Sequence, residues 1–184
     1  SLAIGPSPAN PFFGGTIFAG QGQGQPNFYE LSPINGNSTF IGDSGLGFSS
    51  ISGMDFNADG ILCAAVNLVG DGASGGDHLA TIDPLTGLAT IIGPFGACNG
   101  DFCCPSNGDG TCTIDGIEAI AFDPQGNLWG SLRTSDGSSG TLGLYLINQD
   151  TGAATFVAPI LDGSGVPPPR GGVVSLQFAY NGTL

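Results

Sequence analysis

The sequence predicts an all-β fold made of repeated four-stranded units, and three observations lead to that prediction. Two different strand–turn–strand segments recur in alternation along the chain. Short runs of β-branched and aromatic residues are separated by turns rich in Gly, Asn, Asp and Pro, as in strands joined by tight turns. The 184 residues include 34 Gly and 13 Pro, and no stretch has the periodicity of a helix.

The first recurring segment is a strand, a turn that ends in Gly, and a second strand. Its three copies align without a gap at 28–45, 79–96 and 144–161. The turn glycines coincide at Gly36, Gly87 and Gly152. Glycine is favoured where a hairpin turn needs a positive φ, so each copy is predicted to be a β-hairpin.

The second recurring segment is again a strand, a tight turn and a strand. Full copies lie at 51–68 and 117–134, and residues 173–184 match their first two-thirds. The aligned phenylalanines are Phe56, Phe122 and Phe178. Segment 14–20 matches the second strand only, so the first strand of that copy is predicted to be missing.

The two segments together supply four strands, a to d, in the order b-c-d, a-b-c-d, a-b-c-d, a. The sequence therefore predicts three four-stranded antiparallel units in circularly shifted register, whose edges are completed by a neighbouring chain. Such units are typical of β-propeller blades. They lie at about 14–50, 51–113 and 114–172, with a partial unit at 173–184.

Residues 1–13 form a Pro-rich leader with an apolar start. Proline is tolerated only at the edges of a sheet, which suits a linker as well as an arm that adds a strand to a neighbouring subunit. Both interpretations stay open.

The best-matched repeats resemble those of secreted bacterial β-propeller proteins. The matching stretches read AFDPQGNLWG within 117–130 and LYLINQDTGAATFV at 144–157, with weaker copies at 51–60 and 79–92. The resemblance implies a propeller-like fold and a secreted protein. It transfers no catalytic residue, because such folds host unrelated activities.

The charge balance excludes several classes of partner. Fifteen acidic residues face two basic ones, Arg133 and Arg170, which gives a net charge of −13. Nucleic-acid binding and docking on anionic membranes both need clustered Lys and Arg. No apolar run reaches the length of a membrane-spanning helix, so membrane insertion is not expected.

Four cysteines crowd into one polar loop, and we expect them to form disulfides in an exported protein. They are Cys98, Cys103, Cys104 and Cys112. The absence of a CxxC pair and the adjacent Cys103 and Cys104 argue against a four-thiolate metal site. Two pairings that avoid a bond between these neighbours stay open. Cys63 is predicted to be a small buried hydrophobic residue.

Two acidic segments were compared with calcium loops. Asp55, Asn57 and Asp59 match the opening of an EF-hand, but its twelfth position is Val66, so a repeat turn is predicted. The oxygen-rich loop around Asn107, Asp109 and Asp115 is a weak calcium candidate. No other cofactor is expected.

The remaining polar and aromatic candidates have ordinary explanations. His78 beside Asp77 lacks a nucleophile and is predicted to be a solvated loop residue. Trp129 and Tyr145 are expected to pack between blades rather than to bind sugar. Asn37 and Asn181 lie in glycosylation sequons within predicted exposed turns.

These observations predict a secreted, non-enzymatic structural protein. Unpaired strand edges would join copies head to tail into an extracellular filament or surface assembly, so the expected partner is the chain itself. The alternatives are a propeller module that binds carbohydrate or protein, or a fragment of a larger propeller, including an enzyme whose catalytic residues lie in other blades.

Overall fold

The computed structural model of the chain contains three antiparallel sheets of four strands each, and the residues that it describes form no helix. The described residues are 1–5, 15–22, 24, 26–47, 49–68, 77–96, 114, 117–132, 143–166, 173 and 175–178. The predicted all-β fold and its three four-stranded antiparallel units are therefore confirmed.

Each sheet takes its four strands in chain order, and we call the sheets blades 1, 2 and 3. Blade 1 contains β1 (Leu2–Gly5), β2 (Thr16–Gly20), β3 (Asn27–Leu31) and β4 (Ser38–Asp43). Blade 2 contains β5 (Ser49–Phe56), β6 (Leu62–Leu68), β7 (Asp77–Ile82) and β8 (Ala89–Pro94). Blade 3 contains β9 (Ile117–Phe122), β10 (Leu128–Leu132), β11 (Gly143–Ile147) and β12 (Ala154–Pro159).

The first strand of blade 1 is present, and the prediction that it is missing is wrong. β1 pairs with β2 through four residue pairs, from Leu2–Ala19 to Gly5–Thr16. The described part of the leader thus belongs to the chain's own sheet and is neither a linker nor a free arm. The repeat pattern did not reveal this strand because it is short and has Ile4 where the other first strands have phenylalanine.

The outer hairpin has the same geometry in all three blades. The turn glycines have φ values of 72°, 78° and 79° at Gly36, Gly87 and Gly152. The pairing of the third and fourth strands then slips at one equivalent point in each blade, between Phe28 and Tyr29 in blade 1. The same slip falls after Leu79 and after Leu144. The pairings therefore give residue-by-residue equivalents among the blades.

The blades pack face to face, with the first strands innermost. β5 lies against both β1 and β9. One apolar core fills the space between blades 1 and 2, and a second fills the space between blades 2 and 3. Blade 2 is covered on both faces, because alternate residues of its strands point to opposite sides. Blades 1 and 3 each have one face that neither of the other two described blades covers.

A C-terminal segment lies beside blade 3. The Ser131 hydroxyl donates a hydrogen bond to the carbonyl oxygen of Val173 at 2.7 Å. The rings of Trp129 and Phe178 are 6.3 Å apart. Residues 173 and 175–178 thus follow blade 3 at the place where the first strand of another blade would lie.

Candidate functional site

The register of the inner strands identifies equivalent residues on the face that each blade turns toward its predecessor, which we call the leading face. Leu2 pairs with Ala19, Met54 with Ala64 and Ile120 with Gly130. Two residue pairs further along, on the same face, lie Ile4, Phe56 and Phe122. On the outer strands the equivalents are Phe40, Ile91 and Phe156.

In blades 2 and 3 the leading face is an interior surface. Met54 and Ile120 are 5% and 3% exposed, and both belong to an apolar core. Ile91 and Phe156 pack against the same two cores. Tyr145 stacks edge-on against Phe156, with ring centroids 5.6 Å apart.

In blade 1 the equivalent residues face outward. Leu2 is 62% exposed, Ile4 69% and Phe40 57%. Tyr29 and Phe40 form the same edge-on pair as Tyr145 and Phe156, again at 5.6 Å. The leading face of blade 1 includes Leu2, Ile4, Ile17, Ala19, Tyr29, Leu31 and Phe40. It is an apolar blade surface of the kind that blades 2 and 3 bury.

The opposite face of blade 3, which we call its trailing face, is the second free surface. It carries Trp129, Leu144, Leu146 and Val157. In blade 2 the equivalents of the first two are Cys63 and Leu79, both buried in the core shared with blade 3. Val157 is exposed, whereas its equivalent Ile92 packs on that core. Phe178 covers part of this face through Trp129.

Each joint between blades includes a close backbone contact at the outer rim. The Ala89 amide donates to the Ser44 carbonyl, and the Ala154 amide donates to the Phe95 carbonyl, both at 2.9 Å. The neighbouring glycine of the preceding blade has no room for a side chain: a Cβ on Gly93 would overlap the carbonyl oxygen of Thr151.

The same contact occurs between Gly42 of blade 1 and Thr86 of blade 2. The equivalent residue of blade 3 is Ala158, because Leu144 pairs with it as Leu79 pairs with Gly93. At this position blade 3 therefore differs from blades 1 and 2. The methyl group of Ala158 occupies the space that the outer turn of a following blade would need.

Two carboxylates cross the joint between blades 2 and 3. Asp55 accepts hydrogen bonds from the Phe122 amide at 2.7 Å and the Phe56 amide at 2.9 Å. Burial raises the pKa of the Asp55 carboxyl above its ordinary value, although these two bonds lower it. Asp77 is buried and accepts from the Ile117 amide at 2.9 Å.

The sequence interpretation missed both roles. In the sequence Asp55 matches only a calcium-like turn, and its bond to blade 3 has no local sequence signal. Asp77 and His78 were predicted to lie in a loop, which is wrong, because they begin strand β7. The burial of Asp77 could be recognised from the sequence only if β7, the strand that it begins, were known to be central.

A small cavity lies where the inner strands meet. Its volume is about 260 Å³, and its walls include Leu2, Met54, Ile120 and Leu176. Glu118 and the Ser1 amino group also border it, and burial lowers the pKa of that amine. Residues from β1, β5, β9 and the C-terminal segment thus surround one axis.

Several predicted site residues lie outside the described residues. They are Cys98, Cys103, Cys104, Cys112, Asn107, Asp109, Asp115 and Asn181. Of the two sequons, Asn37 is described and lies exposed in the outer turn of blade 1. Within the described part of the chain, no group of three or more potential metal ligands is found.

The remaining predictions concern residues that the structure describes. Asn57 caps its turn by accepting hydrogen bonds from the Asp59 and Ile61 amides, as expected for a repeat turn. Cys63 is a free, buried cysteine, and burial raises the pKa of its thiol to about 11. Tyr145 packs in a joint as predicted. For Trp129 the prediction is wrong, because this residue lies on the trailing face of blade 3 and belongs to neither core, and its indole donates to Asp123 at 2.9 Å.

Comparisons with known proteins identify the fold without identifying a family. No family model and no curated protein matches the chain. Among solved structures, the chain is similar to the PQQ-bound form of aldose sugar dehydrogenase from Streptomyces coelicolor, with a TM-score of 0.50 and 15% identity. The match covers 91% of this chain and 48% of that one, so the chain spans about half of its length.

At this identity the likeness supports the fold alone, and the three sheets are β-propeller-like. No helix among the described residues is long and apolar enough to cross a membrane.

Proposed function

We propose that the chain is a non-enzymatic structural subunit that assembles head to tail into an extracellular filament or surface layer. The leading face of blade 1 would pack on the trailing face of blade 3 in the next copy. One observation carries this proposal: the leading face of blade 1 exposes the positions that blades 2 and 3 bury against a preceding blade.

The internal joints indicate what such a contact would gain. Leu2, Ile4 and Phe40 together form an exposed apolar patch, and patches of this kind mark interaction sites in soluble proteins. Aromatic anchors contribute disproportionately to binding, and Phe40 with Tyr29 on one face would meet the face that carries Trp129 on the other. The two surfaces differ, so the contact is heterologous, and such contacts build rings or open filaments.

Ala158 favours the open assembly over a ring of two copies. A second chain that repeated the internal joint would bring its Asn35–Gly36 turn against position 158, as Thr86 lies against Gly42. The methyl group of Ala158 opposes that approach, so the joint between copies must differ from the joints within the chain. A rotation that differs from the internal one does not continue the propeller ring, and a non-closing contact gives a filament.

The extracellular location is supported by the resemblance to secreted propeller repeats and by the four cysteines within residues 98–112. The disulfides predicted for these cysteines would be stable outside the cell.

The proposal is tested by blocking each face separately and then mixing the two variants. Phe40→Asp on the leading face and Val157→Asp on the trailing face should each abolish the assemblies that electron microscopy shows for the unaltered chain. Mixed together, they still share one intact pair of faces and should form a dimer of one copy of each. Leu85→Asp, at an exposed turn of blade 2, is the matched control and should assemble normally.

Monomers of the unaltered chain at all concentrations, or assemblies that survive both face variants, would contradict the proposal. Closed two-copy rings would support the faces but not the filament.

A second candidate is a segment of a larger closed propeller that binds carbohydrate or protein. The observation that favours it is the match of this chain to 48% of a longer propeller-like chain. That neighbour is an aldose sugar dehydrogenase in its PQQ-bound form, so aldoses and PQQ are the ligands to try first. A chain that stays monomeric and binds either ligand in calorimetry would favour this candidate.

A further inference from the structure

The C-terminal segment and β1 compete for one place when two copies join head to tail. Residues 173 and 175–178 already lie beside blade 3, at the position of the next first strand. A second copy docked through its blade 1 would bring its own first strand, β1, to that same position. Both segments cannot pair with the same edge of β2, so one of them must leave.

We propose that residues 173–178 of one copy replace β1 of the next copy and pair with its β2. This inference rests on the proposed head-to-tail assembly and specifies its mechanism as a strand exchange. In the free chain, β1 then serves as a placeholder that covers the edge of β2 until a second copy displaces it.

The residue pattern favours the C-terminal segment as the permanent first strand. It places Phe178 where β5 and β9 have Phe56 and Phe122, whereas β1 has Ile4. Leu176 aligns with Ile120, and both line the central cavity beside Leu2 and Met54. The segment thus presents an apolar residue at each inward position that the first strands share.

The pairing lengths point in the same direction. β1 pairs with β2 through four residue pairs, whereas β9 pairs with β10 through five and β5 with β6 through seven. The start of β1 is held by further bonds, from the Ser1 amine to the Gly20 carbonyl at 3.1 Å and from the Ser1 hydroxyl to Ile51 at 3.3 Å. An incoming strand as long as β9 would replace these contacts with its own.

Exchange of equivalent strands has a low free-energy cost, because the bonds broken in one copy are formed again with the other. Covering the β2 edge in the free chain also prevents uncontrolled edge-to-edge pairing. The same strand would therefore protect the monomer and set the order of assembly.

A disulfide lock on β1 tests the exchange directly. In the double variant Leu2→Cys with Ala19→Cys, the two cysteines lie opposite each other on paired strands, within reach of a disulfide. Oxidised, this variant should lose assembly by about tenfold or more, equivalent to roughly 1.4 kcal/mol in association. Reduction should restore it.

The matched control locks a partly exposed pair on the outer strands of blade 2, with Thr81→Cys and Thr90→Cys, away from both free faces. This lock joins two strands that never separate in the proposed assembly, so it should leave assembly unchanged in both redox states. It also accounts for any effect of the reductant on the chain's natural cysteines.

A second double variant, Leu176→Cys with Ala19→Cys, reports the exchanged state. If Leu176 takes the place of Leu2, its disulfide to Ala19→Cys forms between copies. A mixture of isotopically light and heavy chains then yields mixed cross-linked peptides in mass spectrometry.

The outcomes separate the two proposals. Failure of the unaltered chain to assemble overturns both. A second result would be that Phe40→Asp blocks assembly, that the β1 lock leaves assembly unchanged, and that no cross-link forms between positions 176 and 19. This result overturns the exchange, while the face-to-face contact stands. Loss of assembly in the lock together with mixed cross-links supports the exchange.

Discussion

The joint between blades 1 and 2 and the free leading face of blade 1 use the same register positions, yet they differ in what covers them. Met54 is 5% exposed in the joint, and its equivalent Leu2 is 62% exposed at the end of the array. The comparison shows that a repeat protein exposes its own interior at each end unless a cap covers it. Among the described residues, no polar segment covers the whole leading face of blade 1 or the whole trailing face of blade 3.

The rim glycines give one of the two largest expected differences in stability between a joint and a free face. Gly93→Ala would push a methyl group into the Thr151 carbonyl, and we expect a loss of about 3 kcal/mol in the free energy of unfolding. Ala158→Gly changes the equivalent position at the free end and should cost no more than about 1 kcal/mol. Urea denaturation of both variants as monomers measures the contrast.

An equal loss of unfolding free energy at the two positions would mean that the outer turn of blade 3, at Thr151, moves to accommodate the methyl group introduced at position 93. The methyl group of Ala158 would then not prevent ring closure. Ala158→Gly also bears on assembly, because removing the methyl group should increase the share of closed rings relative to filaments.

Truncation on the leading faces gives a contrast in stability of comparable size. Met54→Ala removes atoms from the core between blades 1 and 2 and should cost roughly 2–4 kcal/mol. Leu2→Ala removes a largely exposed side chain and should change the unfolding free energy of the monomer by less than about 0.5 kcal/mol. Thermal unfolding at a concentration below assembly compares the two, and similar losses would contradict the assignment of Leu2 to a free face.

Asp55, in the joint between blades 2 and 3, makes a smaller contribution to the free energy of unfolding, and this contribution depends on pH. Burial raises the pKa of its carboxyl above the ordinary value of 3.8, so between these two pKa values the unfolded chain releases a proton that the folded chain retains. The contribution of Asp55 to the free energy of unfolding therefore falls as pH rises through that window. It is constant below and above the window.

Asp55→Asn removes this titration. The unfolding free energy of the variant, relative to that of the unaltered chain, should rise as pH increases from 3.8 through the raised pKa. The difference between the two chains isolates Asp55 from the other carboxylates. A difference that stays flat with pH would show that the bond to the Phe122 amide compensates fully for burial.

Much of the fold was predictable from the sequence, because each outer hairpin repeats a local signal. A Gly-ended turn between β-branched runs is visible at Gly36, Gly87 and Gly152 without knowledge of tertiary structure. β1 was not predictable, since four residues carry no period and a long Pro-rich segment separates them from β2. Its pairing depends on an edge that exists only after the blade has formed.

The candidate site was less accessible for the same reason. The sequence indicated open ends, but it gave no way to tell which face of each strand is covered. The outward position of Phe40 follows from the register shared with Ile91 and Phe156, and the importance of Ala158 follows from a contact that Gly93 makes with another blade. Both facts depend on residues more than fifty positions apart in the chain.

Thiol reactivity is the smallest effect. It distinguishes a buried joint from the free leading face of blade 1 without changing stability. Cys63 lies in the joint between blades 2 and 3, where its pKa is raised to about 11. At pH 8 only about one thiol in a thousand would be ionised, against roughly one in four for a free cysteine. Cys63 should therefore resist a maleimide reagent, whereas a Phe40→Cys variant should react readily as a monomer.

In the assembled state the cysteine at position 40 should become protected to a similar degree as Cys63, and peptide mapping by mass spectrometry reads the two sites separately. Rapid labelling at position 40 in intact filaments would place the contact between copies on another surface.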